Sequence, residues 1–325
     1  MSIAIPHGGR LARAQAAYPS APTPWLDLST GINPNGWRRG RPGLDSLRQL
    51  PDPADTKDLE LAAAAAFGGL PERVVAVAGA EAGLRLLPQM LGAPSVAVAS
   101  PTYGSHADAW RQAGGAVLCV ARDQLFETEA EVMVVVNPNN PDGAVSPGAD
   151  LVARAAGRWL IIDESFVEVE PGLSAASQAQ GRTIVLRSFG KFYGLAGVRL
   201  GFIICDEDLA HRLRRRIGDW PVGADAIGMG RLAYGDAAWS ERTRRSLARD
   251  ARRLDRMLEA HGYEVTGGTS LFRLTRSSDA AARADRLARQ GVLVRTFDHD
   301  ETLIRFGLPG RTHWRRLQAA LEQTT

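Results

Sequence analysis

The sequence predicts an α/β protein built on a largely parallel sheet. Short runs of almost continuous apolar residues, such as Val132–Val136 and Trp159–Ile162, alternate with helical patterns between residues 53 and 205. Runs of this kind are typical of strands buried on both faces, and the alternation of strand and helix favours parallel pairing. Polar or glycine-containing turns follow the strands directly. In such sheets ligands bind beyond the carboxyl ends of the strands.

The individual elements follow from apolar periodicity and from the residues that stop helices. In the first part of the chain, helices are predicted to end at Phe67, Met90, Ala113 and Gly157, and strands are predicted over 74–78, 95–99, 117–120, 132–136, 159–162, 183–187 and 201–205. After residue 205, predicted helices over 207–217, 237–261, 280–290 and 311–323 accompany short strands near 263–265, 271–274, 292–294 and 303–306. This change of pattern indicates a smaller α/β domain at the end of the chain.

The chain is therefore predicted to divide into three parts. Residues 1–43 are rich in proline and glycine, and we expect an extended arm that packs against the small domain or a partner subunit. Residues 44–205 are predicted to form the large domain. Residues 206–325 are predicted to form a helical linker and the small C-terminal domain, and a length of 325 residues suits this division.

The composition argues against several classes of protein. Hydrophobic residues make up 45% and charged residues 23% of the chain, as in ordinary globular proteins. The net charge is only +3, and the arginine clusters over 212–216 and 242–253 are interleaved with acids and leucines, which favours solvated helix faces over nucleic-acid binding. No apolar run suits a signal peptide or a membrane span, so we expect a cytoplasmic protein without a membrane partner. Cys119 and Cys205 lack the spacing of metal ligands, and no metal site is predicted.

A glycine-rich turn between two predicted strands carries an unusual lysine. Lysine occurs only at Lys57 and Lys191, whereas arginine supplies the remaining positive side chains. Arginine can replace lysine where only charge is needed, but a guanidinium cannot form a Schiff base with an aldehyde. Ser188 and Arg199 flank Lys191, and a hydroxyl and a guanidinium suit a ligand that carries a phosphate as well as a carbonyl group. An ordinary surface lysine in a loop is the alternative interpretation.

Further residues suited to ligand binding follow the ends of the predicted strands. Gly79, Tyr103, Asn140, Asp163 and Ser188 each come just after a strand. Because the carboxyl ends of parallel strands meet at one edge of a sheet, we expect these five residues to lie on the same edge. The start of the helix after Gly79 also offers free backbone N–H groups to an anion.

The segment Arg187–Phe202 resembles the Schiff-base motif of the fold-type I pyridoxal-phosphate (PLP) enzymes, the aspartate-aminotransferase superfamily. The resemblance covers most of the chain, and it implies the fold of a fold-type I PLP-dependent transferase, PLP as cofactor and a homodimer. It also implies two catalytic residues: Lys191, which binds PLP covalently, and Asp163, whose carboxylate keeps the pyridine nitrogen protonated. The other implied cofactor-binding residues are Ala80, Glu81, Tyr103, Asn140, Ser188 and Arg199.

The N-terminal arm is similar to the start of the threonine-phosphate decarboxylases of cobalamin biosynthesis, which are relatives of histidinol-phosphate aminotransferase. The similar segments are His7-Gly8-Gly9, Trp25–Pro34, Leu50–Pro53 and Asp163–Phe166. This resemblance implies decarboxylation of L-threonine O-3-phosphate to (R)-1-aminopropan-2-ol phosphate, so that the partner is a phosphorylated amino acid. The implied substrate-binding residues are His7, Gly8, Gly9, Asn33 and Arg295 at the phosphate, Arg305 near the carboxylate, and Asn140.

Three residues depart from the broader aminotransferase pattern. Phe166 and Leu50 stand where tyrosines are usual, and Gly190 stands in place of a serine. Each change removes a hydrogen bond worth roughly 1 kcal/mol. Two alternatives therefore stay open: an aminotransferase of the histidinol-phosphate type, which would use the same lysine, and a non-catalytic subunit of corrinoid assembly. Retention of the lysine, aspartate, asparagine and arginine together argues against the second.

Overall fold

The computed structural model describes residues 8–40, 42–92 and 95–323, which form two compact units. Unit 1 comprises the described chain up to Gly36, the short segment Pro141–Gly143, and the chain from Arg242 onward. Unit 2 comprises Trp37–Asn140 and Ala144–Glu241. The division into three parts at residues 43 and 205 stays a prediction.

The ends of the helices follow largely from local sequence. For example, the second helix begins after Asp52, whose carboxylate accepts a hydrogen bond from the N–H of Ala54, and it ends at Gly68, which has a left-handed φ of 72°. No helix within the described ranges is long and apolar enough to cross a membrane. The helices are α1 (Leu11–Ala17), α2 (Pro53–Phe67), α3 (Ala80–Leu91), α4 (Ser105–Gln112), α5 (Gly148–Ala155), α6 (Glu207–Ile217), α7 (Ala224–Tyr234), α8 (Ala237–Ala260), α9 (Ala280–Arg289) and α10 (Trp314–Glu322).

The strands form three separate sheets. They are β1 (Leu26–Asp27), β2 (Val74–Val77), β3 (Ser95–Ala99), β4 (Ala116–Val120), β5 (Val132–Val136), β6 (Trp159–Asp163), β7 (Thr183–Ser188), β8 (Gly201–Ile204), β9 (Glu264–Thr269), β10 (Phe272–Arg276), β11 (Val292–Leu293), β12 (Arg295–Thr296) and β13 (Leu303–Gly307). Unit 2 holds a seven-stranded sheet in the order β2-β8-β7-β6-β5-β3-β4. Unit 1 holds a four-stranded sheet in the order β12-β13-β10-β9 and the short pair β1-β11.

The large sheet of unit 2 is parallel except for one strand. β8 runs antiparallel to both of its neighbours, β2 and β7, and every other pair in the sheet is parallel. Strands β2, β5 and β8 are buried along their whole length, and they pack with helices α3, α4 and α6 into one hydrophobic core. The prediction of a largely parallel sheet is confirmed.

This topology brings the ends of several strands to one edge. Asp163 and Ser188 are the last residues of β6 and β7, and Asn137 directly follows β5. Because β8 runs in the opposite direction, the connection between β7 and β8, residues 189–200, lies at the same edge as the carboxyl ends of the parallel strands. The turn that carries Lys191 therefore belongs to the edge where ligands bind in such sheets.

In unit 1 an N-terminal segment is hydrogen-bonded to the C-terminal part of the chain. β1 pairs in parallel with β11, the N–H of Leu28 donates to the carbonyl of Leu293 over 2.7 Å, and the N–H of Gly307 donates to the carbonyl of Leu28 over 2.7 Å. A Cβ atom at Gly307 would lie 2.2 Å from the carbonyl oxygen of Thr30, so only glycine allows this close approach. Residues 26–30 thus pack directly beside the strand that carries Arg305.

Two helices differ from the sequence expectations. The predicted extended arm contains α1, and α7 lies in a stretch for which no helix was expected. Gly228 and Gly230 within α7 weaken its intrinsic helix propensity. Packing explains both glycines, since a Cβ atom at Gly228 would lie 2.6 Å from Pro42, and one at Gly230 would lie 2.6 Å from Leu200. Tertiary contacts therefore override the local preference.

Candidate active site

Lys191 lies in a tight turn of unit 2 that only glycine permits. A Cβ atom at Gly190 would lie 2.7 Å from the backbone Cα of Ala196, which explains why no serine stands beside the lysine. The turn is anchored by a hydrogen bond from the N–H of Trp37 to the carbonyl of Tyr193 over 2.9 Å. Lys191 is half-buried, and its Nζ lies 5.7 Å from the centre of the Phe166 ring. The amine is thus placed on the ligand-binding edge of the sheet.

Asp163 is a buried carboxylate that the structure keeps ionised. Its Oδ2 lies 2.9 Å from Nε2 of His106, and its Oδ1 accepts hydrogen bonds from the N–H and the hydroxyl of Ser165 over 2.9 and 2.6 Å. Burial alone would raise the pKa of Asp163, but the hydrogen bond and electrostatic attraction of His106, together with the hydrogen bonds from Ser165, outweigh it and hold the pKa below its usual value. Asp163 can therefore act as a fixed negative charge.

His106 is a site residue that the sequence analysis missed. It is buried in the first turn of α4, three residues after Tyr103, and its ring meets the Tyr103 ring edge to face at a centroid distance of 6.2 Å. A histidine soon after a strand end was visible in the sequence. Its pairing with Asp163, 57 residues away, depends on the packing of α4 and could not be read from local pattern.

The groups predicted to bind a phosphate lie together at the start of α3; this cradle consists of Gly79–Glu81, Ser188 and Arg199. Gly79 has φ 91°, and no side chain caps the helix, so the first N–H groups of α3 are not used by a capping side chain. The guanidinium of Arg199 packs against Gly79, where a Cβ atom would lie only 2.5 Å from it. Ser188 pairs with Gly201 across β7 and β8, and a Cβ atom at Gly201 would lie 2.3 Å from the backbone nitrogen of Ala80. These contacts collect the predicted phosphate-binding groups in one place.

Hydrogen bonds connect the loop that carries Tyr103 with the loop that carries Asn140. The hydroxyl of Thr102 donates to Oδ1 of Asn139 over 2.6 Å, and Nδ2 of Asn139 donates to the carbonyl of Pro101 over 3.0 Å. The hydroxyl of Tyr103 donates to Oε2 of Glu81 over 3.1 Å, which connects the same loop to α3. Burial raises the pKa of the Tyr103 phenol, so it stays protonated as a donor.

These groups fit the cofactor that the sequence resemblance implies. Lys191 supplies an amine for an aldehyde, and Asp163 supplies an ionised carboxylate for a protonated ring nitrogen. The cradle supplies N–H groups of a helix start and a guanidinium for a phosphate dianion. Glycine at position 79 keeps the space between that helix start and Arg199 free of a side chain.

Unit 1 contains a second group of predicted site residues, centred on two arginines. Arg295 and Arg305 stand opposite each other in the pairing of β12 with β13. Arg305 is buried, and its Nη2 donates to the carbonyl of Ser29 over 2.8 Å. Burial and the neighbouring charge of Arg295 lower the pKa of Arg305 to about 10. An anion bound beside the two guanidinium groups would favour the charged form of Arg305, which burial and Arg295 disfavour.

The glycine turn of the N-terminal arm belongs to the same unit. The N–H of Gly9 donates to the hydroxyl of Ser29 over 2.8 Å, and a Cβ atom at Gly8 would lie 2.4 Å from the carbonyl oxygen of Ser29. The amide of Gly9 is therefore already used within the protein. Asn33 is buried, and its Oδ1 accepts a hydrogen bond from the N–H of Asn35 over 2.9 Å. His7, the remaining predicted substrate ligand, lies outside the described residues.

Known proteins are similar to this chain in sequence and in fold. A threonine-phosphate decarboxylase of Pseudomonas aeruginosa is 39% identical over 327 residues, which cover 98% of this chain and 97% of that protein. A threonine-phosphate decarboxylase of a Sinorhizobium species is 38% identical over 334 residues, which cover 99% of this chain and 98% of that protein. The solved structure of histidinol-phosphate aminotransferase from Sinorhizobium meliloti in complex with pyridoxal-5'-phosphate is similar with a TM-score of 0.83 and 18% identity, over 99% of this chain and 98% of that one.

The similarities confirm the predicted fold class, a fold-type I PLP-dependent transferase, and the predicted cofactor. The family model of aminotransferase class I and II matches residues 44–321, which include the lysine turn, the cradle and both arginines of unit 1. The chain belongs to the class I and II aminotransferase family.

Proposed function

We propose that this chain is a PLP-dependent decarboxylase that converts L-threonine O-3-phosphate to (R)-1-aminopropan-2-ol phosphate. The main support for this reaction is the near-full-length similarity, at 39% and 38% identity, to two proteins named threonine-phosphate decarboxylase. The opposed arginines of unit 1 support the substrate class, because a phosphorylated amino acid brings two anionic groups, a phosphate and a carboxylate.

The residues of unit 2 hold the cofactor and set its charge. When bound, PLP supplies an electron-withdrawing ring that accepts the electron pair left by the departing carbon dioxide. Asp163 keeps a proton on the ring nitrogen, since its carboxylate stays ionised between His106 and Ser165. The cradle binds the cofactor phosphate, and we assign Tyr103 to stacking on the ring and Asn140 to donating a hydrogen bond to its phenolic oxygen.

Lys191 serves in two ways. Its amine would hold the cofactor through the aldehyde, and the same Nζ would be placed to give a proton to the substrate carbon once the carboxylate has left. The apolar ring of Phe166 beside the amine offers no hydrogen bond to the cofactor, which leaves the phenolic oxygen to Asn140. A tyrosine there, as in ordinary transaminases, would add a donor.

The residues of unit 1 bind the two anions of the substrate. We assign Arg305 to the carboxylate, and Arg295, Asn33, Gly8 and the undescribed His7 to the phosphate. Gly9 contributes through the conformation of the turn, since its φ is +79° and its N–H is donated to Ser29. A homodimer, a cytoplasmic location and a role in cobalamin biosynthesis stay predictions.

The test is an assay of the purified protein with PLP and threonine phosphate. We expect release of carbon dioxide without consumption of a keto acid, and loss of that activity in Lys191→Ala. Lys57→Ala removes the other lysine of the chain and should behave like the wild type. Keto acid turnover with accumulation of the pyridoxamine form would favour the aminotransferase alternative, and absence of any PLP binding would favour the non-catalytic one.

A further inference from the structure

Ser29 contacts two of the predicted substrate-binding elements of unit 1 at once. It is fully buried, its hydroxyl accepts a hydrogen bond from the N–H of Gly9 over 2.8 Å, and its carbonyl accepts one from Arg305 over 2.8 Å. The carbonyl also lies so close to Gly8 that a Cβ atom there would be 2.4 Å away. Residues 9, 29 and 305 are far apart in sequence, and this one serine joins them.

Asp27 fixes the orientation of Ser29. Its Oδ1 accepts hydrogen bonds from the hydroxyl of Ser29 over 2.6 Å and from the N–H of Ser29 over 2.9 Å. The serine hydroxyl has only one proton, and donating it to Asp27 leaves the oxygen lone pairs for the N–H of Gly9. The carboxylate therefore fixes the direction of the hydroxyl proton and leaves the hydroxyl oxygen to accept from Gly9.

We propose that Asp27 and Ser29 are a pair of positioning residues that fix the glycine turn, Gly8–Gly9, relative to Arg305 and so select substrates that carry a phosphate in addition to a carboxylate. The inference rests on the proposed function, because it assigns the turn to the phosphate and Arg305 to the carboxylate. Neither Asp27 nor Ser29 needs to touch the substrate, since both act through the backbone of the turn.

The two ends of this arrangement respond differently to mutation. Ser29→Ala removes the acceptor of the Gly9 N–H but keeps the carbonyl that receives Arg305. The substitution therefore frees the glycine turn, which we assign to the phosphate. The contact of Ser29 with Arg305, which we assign to the carboxylate, is retained. Because the turn loses the part-buried hydrogen bond that fixes Gly9, we expect kcat/KM for threonine phosphate to fall about tenfold, mainly through KM.

The experiment compares threonine phosphate with unphosphorylated L-threonine in the PLP-loaded enzyme. In Ser29→Ala the preference for the phosphorylated substrate should fall about tenfold, while kcat/KM, or the inhibition constant, of L-threonine stays within about twofold. General damage to the fold would lower both. Ser277→Ala is a matched control, since it removes an equivalent serine-to-aspartate hydrogen bond, to Asp279 over 2.6 Å, on an exposed part of unit 1.

Variants of Asp27 provide the second test, and they apply even where Ser29→Ala does not fold. In Asp27→Asn the side-chain oxygen can still accept both hydrogen bonds from Ser29, so the preference should be close to that of the wild type. Asp27→Ala removes both bonds and should reproduce the loss seen for Ser29→Ala. Equal preference in Asp27→Ala and the wild type would overturn the proposal.

A measurement independent of turnover separates this inference from the proposed function. Inorganic phosphate should raise the unfolding temperature of the PLP-loaded wild type, whose cofactor site is already filled, and should raise it less in Ser29→Ala. If phosphate stabilises the wild type more than Ser29→Ala but the wild type releases no carbon dioxide, the proposed function alone is refuted. A wild type that decarboxylates threonine phosphate, with phosphate stabilisation unchanged in Ser29→Ala, would refute the positioning role alone.

Discussion

Gly201→Ala is the sharpest test of the cradle at the start of α3. A Cβ atom at Gly201 would lie 2.3 Å from the nitrogen of Ala80, 2.7 Å from the carbonyl carbon of Gly79 and 2.9 Å from the carbonyl oxygen of Arg187. All three are backbone atoms, so no side chain can rotate away. An ordinary contact begins near 3.4 Å, and β8 and the start of α3 must therefore separate by about 1 Å.

This displacement has two measurable effects. Overpacking of a buried strand costs roughly 1–3 kcal/mol of folding free energy. The N–H groups of Ala80 and Glu81 also move away from the cofactor phosphate, and hydrogen bonds to a charged group are worth roughly 1.5–3 kcal/mol each. Loss of one such bond corresponds to a PLP affinity about 10- to 100-fold lower.

The assay is a titration of the cofactor-free protein with PLP, followed by absorbance, with thermal unfolding measured in parallel. Gly148→Ala is a matched control in unit 2, because its Cβ atom would also meet backbone, 2.6 Å from the nitrogen of Ala175, but at the start of α5. It should lose comparable stability and bind PLP normally. A Gly201→Ala protein that binds PLP within about twofold of the wild type would refute the assignment of the cradle to the phosphate.

Three further predictions concern the buried charges of unit 2. His106→Ala removes the partner that lowers the pKa of Asp163 most, so this pKa should rise. The acid limb of the kcat profile should then move to higher pH, and kcat should fall by about 100-fold. Because the pKa of Asp163 is lowered in the folded protein, the ionised carboxylate stabilises the fold above its unfolded pKa of about 3.9, and this stabilisation is lost as the pH falls through the folded pKa. Asp163→Asn should therefore lose less stability between pH 5 and pH 3 than the wild type, as measured by urea unfolding. Arg187→Met leaves two buried glutamates without their cation and should destabilise the protein by roughly 3–5 kcal/mol in the same unfolding assay.

Each of these predictions has its own control or contrary result. Arg182→Met removes an exposed arginine five residues away and should change stability by less than about 0.5 kcal/mol. A comparable loss in both arginine variants would mean that the buried ion pairs are not the cause. An acid limb that does not move in His106→Ala would show that another group controls the charge of Asp163. Identical urea profiles for Asp163→Asn and the wild type below pH 5 would contradict the low pKa.

The regular part of the site could be predicted from the sequence. Asp163 and Ser188 end buried strands and Lys191 follows one, and a parallel sheet places such residues on one edge whatever the details of packing. The helix start at Ala80 was equally visible, because Gly79 separates a strand from a helix. The local sequence pattern was sufficient to predict those site residues whose position is set by the sheet itself.

The contacts that orient these residues could not be predicted, because they join distant parts of the chain. The pairing of His106 with Asp163 depends on where α4 packs, and the contact of Ser29 with Arg305 spans 276 residues. Likewise, α7 contains two glycines that lower its helix propensity, and only packing against Pro42 and Leu200 explains them. Such partners follow from tertiary structure alone.

The single antiparallel strand of the large sheet has a consequence for biosynthesis. β2 is the first strand of that sheet to be translated, yet it pairs only with β8, the last one. During translation β2 therefore remains without its pairing strand while about 120 residues are added. At 5–20 residues per second, this takes on the order of ten seconds. During that interval the start of α3 has no Arg199 beside it, so the predicted cradle is complete only once the final strand has closed the sheet.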